Sequence, residues 1–167
     1  MNYINKGKPL PLGSSITSKG VNFSLIATNA EYIEILLFEK EDAVLPTKVF
    51  KLDDSHNTGN YWHAEISNIK EGCIYAFRIK QKNNGTNNNY EKKVLIDPCA
   101  RGITGWSTYK RENALRKHDN SDSCLKSVVC NRKLFNFQDY PRPNHSWEET
   151  IIYELHIKAF TASSNEK

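Results

Sequence analysis

Gly20-Val21-Asn22-Phe23-Ser24-Leu25-Ile26-Ala27 is the stretch on which the fold turns. Val21, Phe23, Leu25 and Ala27 alternate with Asn22 and Ser24, the period of a strand with one dry and one wet face. Working outward, the habit recurs. Residues 32–38 put Ile33, Ile35 and Leu37 on one face, and 48–52 form a short strand after the punctuation of Asp42 and Pro46. Beyond the polar loop 53–60, Trp62, Ala64 and Ile66 make an apolar face and Tyr61, His63 and Glu65 the opposite one. Lys70-Glu71-Gly72 turns the chain into another strand over 74–80. Residues 83–89 have hairpin-tip chemistry, because Asn and Gly tolerate positive φ, and 90–96 is the returning strand. Asp97-Pro98 ends the run, since proline donates nothing to a ladder.

Six or seven short strands within about 100 residues, with turns near the usual spacing, predict an all-β immunoglobulin-like sandwich. Residues 1–20 read as loop, broken by Pro9, Pro11, Gly13 and Gly20. Residues 99–149 are irregular, with a helical turn over 112–117 and a stiff linker at Pro141, Pro143 and Asn144. A new β-like apolar run occupies 150–157. The organisation expected is a module over 1–100, an extension over 101–149 and a separate beginning over 150–167.

Composition narrows the function. The 167 residues carry 23 basic and 19 acidic side chains, a net charge of +4 without a dense Lys/Arg block. That excludes a nucleic-acid footprint and suits a neutral partner such as a sugar. Lys110, Arg111, Arg116, Lys117 and Lys126 resemble a basic stripe, but Glu112 and Asp119 interrupt it, as on a solvated face. The N-terminus has no secretory pattern and no segment reaches membrane-span length, so a soluble cytoplasmic protein is expected. The sequons at Asn22, Asn84 and Asn144 then have no use. Cys73, Cys99, Cys124 and Cys130 lack zinc-ligand spacing and read as reduced thiols, so no metal and no cofactor are expected.

Several segments are recognisable in order. Gly13, Gly20-Val21-Asn22-Phe23-Ser24-Leu25, Tyr61-Trp62-His63, Gly72, Tyr75-Ala76-Phe77-Arg78 and Leu95-Ile96-Asp97-Pro98 with Ala100-Arg101 resemble the isoamylase N-terminal module, a family 48-type carbohydrate-binding module. Lys126-Ser127-Val128-Val129 and Trp147-Glu148-Glu149-Thr150-Ile151-Ile152-Tyr153-Glu154-Leu155-His156-Ile157-Lys158, with Phe160-Thr161, resemble the opening of the catalytic barrel in family 13 glycoside hydrolases of the isoamylase and glycogen-debranching group. Asn136-Phe137 stands where the family often has an Asp-Trp pair, and Cys99 where tyrosine is usual.

The resemblance implies the N-terminal fragment of an enzyme that hydrolyses α-1,6 branches in glycogen or starch. Residues 150–157 become the first strand of a (β/α)8 barrel otherwise missing from this chain. Such enzymes use two carboxylates, one as nucleophile and one as acid/base. No motif here matches those that hold them, so no catalytic residue is assigned and the chain alone is expected to be inactive. The alternatives are a stand-alone glucan-binding module and an interaction domain docking a separately encoded barrel. Weak or no affinity for α-glucan is expected, with Tyr61 and Trp62 as the weak carbohydrate-binding candidates. Trp62 falls in register with core positions, which disfavours stacking on sugar. His63 reads as a hydrogen-bonded strand histidine. Glu154 and His156, on the apolar run, read as packing or ion-pair residues.

Overall fold

A computed structural model describes residues 2–82, 92–131 and 143–162. The chain divides into two units, Met1–Leu134 and Phe135–Lys167. In the first, the segment around Val21 is β3 (Gly20–Ile26), paired antiparallel with β7 (Tyr61–Ser67). The register sets Val21 opposite Ile66, Phe23 opposite Ala64 and Leu25 opposite Trp62, so the apolar residues of both strands share one face. Gly20 opens β3 because a Cβ there would lie 2.1 Å from the Ile66 carbonyl oxygen. β1 (Ile4–Asn5), β2 (Gly13–Ile16) and β6 (Asn57–Thr58) complete this first sheet, in the order β1-β7-β3-β2 with β6 also on β7.

The second sheet runs β5-β4-β8-β10-β9. Its strands are β4 (Ala30–Phe38), β5 (Lys48–Leu52), β8 (Ile74–Gln81), β9 (Gly102–Thr104) and β10 (Lys126–Val128). Ile33, Ile35 and Leu37 pair with Ile79, Phe77 and Tyr75. Their inner faces meet Val21, Phe23, Leu25, Trp62, Ala64 and Ile66 of the first sheet in one buried cluster, the core of a β-sandwich. Phe23, Tyr75 and Phe77 touch edge to face within it, with centroids 4.9 and 5.8 Å apart.

Residues 1–20 are not all loop, because β2 pairs Ser14 with Phe23 and Ser15 with Asn22 along the edge of β3. An unpaired edge leaves backbone donors and acceptors open, and even a polar Ser-Ser segment can fill it. The expected strand over 90–96 is a single bridge between Phe77 and Leu95; Tyr90 and Glu91, with the hairpin tip 83–89, lie outside the described residues. The reason is that β8 shares that edge with β10, which pairs Ser127 with Tyr75 and Val128 with Ile74. The chain does leave the sheet at Asp97-Pro98, but it returns twice, as β9 and β10.

Residues between β8 and β10 also cover the outer face of the second sheet. Leu36, Phe38 and Ala76 are buried there with Val94 and Cys124. This is why β4 is buried on both faces over its last four residues. Lys126, expected on a solvated stripe, is instead buried. It is 1% exposed, donates from Nζ to the Glu41 carbonyl at 2.8 Å, and lies 4.9 Å from the Phe38 ring centre. Buried, an ammonium needs such an acceptor. The expected helical turn appears as α1 (Arg111–Leu115).

In the second unit, Trp147–Glu149 make a 3-10 turn and Ile157–Ala162 form a short helix, α2. Residues 151–156, expected as a strand, carry no ladder among the described residues. A strand exists only through a pairing partner, however strong its local pattern.

Candidate functional site

The two aromatic candidates have different surroundings. Trp62 is 2% exposed, and its Nε1 donates to the Ala27 carbonyl at 3.1 Å. Both the face of the indole and its polar handle are engaged inside the sandwich. Tyr61 lies half-buried at the start of β7, opposite Ile26 on one side and Thr58 on the other. His63 sits on the outer face of the first sheet, yet the N-terminal segment covers it. Its Nδ1–H donates to the Lys6 carbonyl at 2.7 Å, and Nε2 accepts from the Thr58 hydroxyl at 2.9 Å. Both ring nitrogens are engaged in hydrogen bonds inside the sheet's cover, so the side chain serves the fold and faces no open site. On the apolar run, His156 Nδ1 accepts from Ala159 N at 3.1 Å and so caps the start of α2.

An aromatic pair from the irregular stretch after residue 99 stands on the surface. Trp106 is 65% exposed and meets Tyr109 edge to face, with centroids 6.0 Å apart and ring planes at 78°. The pair sits on a turn following β9. Gly105 adopts φ +95, a conformation that disfavours a side chain. Thr108 donates to the Gly105 carbonyl from both N and Oγ1, each at 3.3 Å. Lys110 N donates to the Ser123 carbonyl at 3.2 Å and fixes the far end.

Glu41, from the β4–β5 connection, holds the near end. Its Oε2 accepts from the Thr104 hydroxyl and, at 3.2 Å, from Gly105 N. The Thr104 hydroxyl, above all, then the Gly105 N–H, keep the Glu41 carboxyl below its ordinary value, and Lys126 adds to this. Tyr109 is rooted in the excursion over the second sheet, where it lines a cleft of about 160 Å³ with Val94, Ala114, Asn120 and Cys124. The one signal in the sequence was an indole beside glycine in a polar stretch, Gly105-Trp106-Ser107-Thr108, outside any alternating run.

A second cleft, of about 390 Å³, is mixed in character and lined by Ser15, Ile16, Thr17, Arg101, Cys130 and Asn131. Arg101 is held beside it by donating to the Ser14 carbonyl at 3.3 Å. Among the described residues no three His, Cys, Asp or Glu side chains are grouped to hold a metal ion.

Residues 11–100 match the family described as carbohydrate-binding module 48 (isoamylase N-terminal domain). The chain belongs to this family. The match ends before β9 and β10, which nevertheless complete the family module's second sheet here. Beyond the module, 96% of the chain aligns with a glycogen debranching enzyme of Pectobacterium carotovorum subsp. carotovorum at 30% identity, covering 25% of that protein. A glycogen debranching enzyme of Erwinia tasmaniensis is 34% identical over 95% of the chain and 24% of its own length. The chain thus spans about a quarter of the length of the curated relatives it matches.

Among solved structures, a multi-modular glycogen-degrading pneumococcal virulence factor superposes with a TM-score of 0.55. That match is 16% identical and covers 78% of this chain and 13% of the other. At that identity the likeness concerns the fold. No described helix is long and apolar enough to cross a membrane.

Proposed function

We propose that this chain is the front module of a debranching glycoside hydrolase that cuts α-1,6 branches in glycogen or starch, and that the module engages the α-glucan. The observation that carries the reading is the length of the similarity. It continues well past residue 100, over 95–96% of the chain, in proteins named for glycogen debranching. A free-standing sugar-binding sandwich needs nothing like residues 147–161.

In this reading the sandwich is of immunoglobulin type, and residues 150–157 are the first strand of a (β/α)8 barrel. Strands on both sides in the barrel supply the ladder partners. The two catalytic carboxylates belong to later barrel strands, so the chain alone releases no reducing sugar from amylopectin or pullulan. The free thiols of Cys73, Cys99, Cys124 and Cys130 accord with a reducing, cytoplasmic setting.

A chimera tests the proposal. The aligned quarter of the Erwinia tasmaniensis enzyme is replaced with this chain, and debranching of glycogen limit dextrin is measured. Activity well above that of the same enzyme lacking the segment supports the reading. A folded chimera no better than the shortened enzyme overturns it.

A further inference from the structure

We propose that Trp106 and Tyr109 form the surface on which this chain binds an α-glucan, with the indole of Trp106 as the stacking face. The proposal rests on the reading that the module engages glucan, and it names where. Within the unit Met1–Leu134 the other indole, Trp62, is kept for packing and is 2% exposed. Trp106 is 65% exposed, and its turn is hydrogen-bonded at both ends, through Glu41 to Thr104 and Gly105, and through Lys110 to Ser123. Ordering a turn costs conformational entropy. Here the ordered turn presents an apolar ring to water, which disfavours the free state and favours any ligand that covers the ring.

The ring geometry specifies the ligand. At 78°, the half-buried Tyr109 braces the indole from one side and makes a corner with it. A glucose ring has an apolar C–H face that packs against an aromatic face, while its hydroxyls point outward from the rim. The turn supplies partners for those hydroxyls in Ser107, Thr104 and the Glu41 carboxylate. The charges nearby are mixed, with Lys110 and Arg111 next to Glu112 and Glu41, so the surface favours a neutral polymer over a polyanion.

The test is native electrophoresis of the full chain through gels containing glycogen. Trp106→Ala is expected to weaken retardation roughly tenfold, the scale of one lost aromatic stacking contact. Trp106→Phe keeps part of the affinity. Tyr3→Ala, which removes a comparably exposed aromatic (63%) elsewhere on the sandwich, leaves it unchanged. As a second measurement, in a Trp147→Phe background Trp62 and Trp106 are the two indoles left, and excitation selective for indole reads them alone. Maltoheptaose should then shift the emission of the exposed indole. If the parent chain is retarded but Trp106→Ala is retarded equally, the site lies elsewhere and the proposed function stands. If the parent chain is not retarded and maltoheptaose leaves the emission unmoved, both the site and the glucan reading fall.

Discussion

The Tyr75 hydroxyl donates a 2.6 Å hydrogen bond to the Asp97 carboxylate inside the sandwich, and neither residue is more than 3% exposed. The bond joins β8 to the point where the chain leaves the sheet. Asp97 extends the join in two directions, accepting from Cys99 N at 2.8 Å and donating from its own N to the Ser127 hydroxyl at 2.9 Å. β8, the exit at Pro98 and the returning β10 are therefore tied at one residue, the first two through its carboxylate and β10 through its backbone N–H.

Asp97→Ala leaves the buried Tyr75 hydroxyl without its carboxylate acceptor and removes the partner of the Cys99 N–H. A buried donor left unpaired costs about 1–3 kcal/mol. The urea midpoint should fall accordingly with little change in slope; an unmoved midpoint would show that the knot at Asp97 is energetically idle.

Stability should also carry the signature of Asp97 against pH. Burial above all raises its carboxyl, only partly opposed by the Tyr75 and Cys99 donors and by Arg101. In the unfolded chain an aspartate titrates near ~3.9. Between that value and the raised folded value, the folded state holds the proton more tightly, so stability falls as pH rises through the window and levels off above it. Asp97→Asn removes this contribution. The difference between parent and variant urea midpoints, measured from acid to neutral pH, should slope downward and then flatten. A flat difference throughout would contradict the assignment.

The boundary of the folding unit can be placed by truncation. A chain ended at Ala100 keeps every residue of the family match but loses β9, β10 and, with Cys124, part of the cover over Leu36, Phe38 and Ala76. It should lack a cooperative thermal transition. A chain ended at Leu134 should retain one. The reverse result would make residues 101–134 an appendage.

Trp62→Ala should destabilise the sandwich by about 3–5 kcal/mol, the usual cost of emptying a large aromatic site in a core. Chemical denaturation measures it. A loss below about 1 kcal/mol would mean that the indole is not packed as its burial indicates.

Glu41→Ala tests the turn rather than the core. Thr104 and Gly105 lose their common acceptor, and chymotrypsin should cut after Trp106 or Tyr109 several times faster while the melting temperature hardly moves. Unchanged cleavage would show that the Lys110–Ser123 end suffices to hold the turn.

The sequence by itself determined the five longer strands. Alternation at Val21-Phe23-Leu25, Ile33-Ile35-Leu37 and Trp62-Ala64-Ile66 is local, and burying one face of a two-residue repeat leaves little choice of structure. It also placed Trp62 on the dry face. Only the tertiary structure decided the rest. β2, β9 and β10 are short segments with no periodic pattern, and they are strands because a distant edge accepts them, as β8 accepts Ser127 opposite Tyr75. Lys126 looks solvated in sequence and is buried because β10 runs beneath the Glu41 connection. Trp106 reads as one more aromatic in an irregular stretch. Its exposure, and its fixed pose beside Tyr109, come from contacts with Glu41 and Ser123 that lie 65 residues before it and 17 after it. Such contacts form only when the loops they join are closed, a free energy that no local pattern of residues encodes.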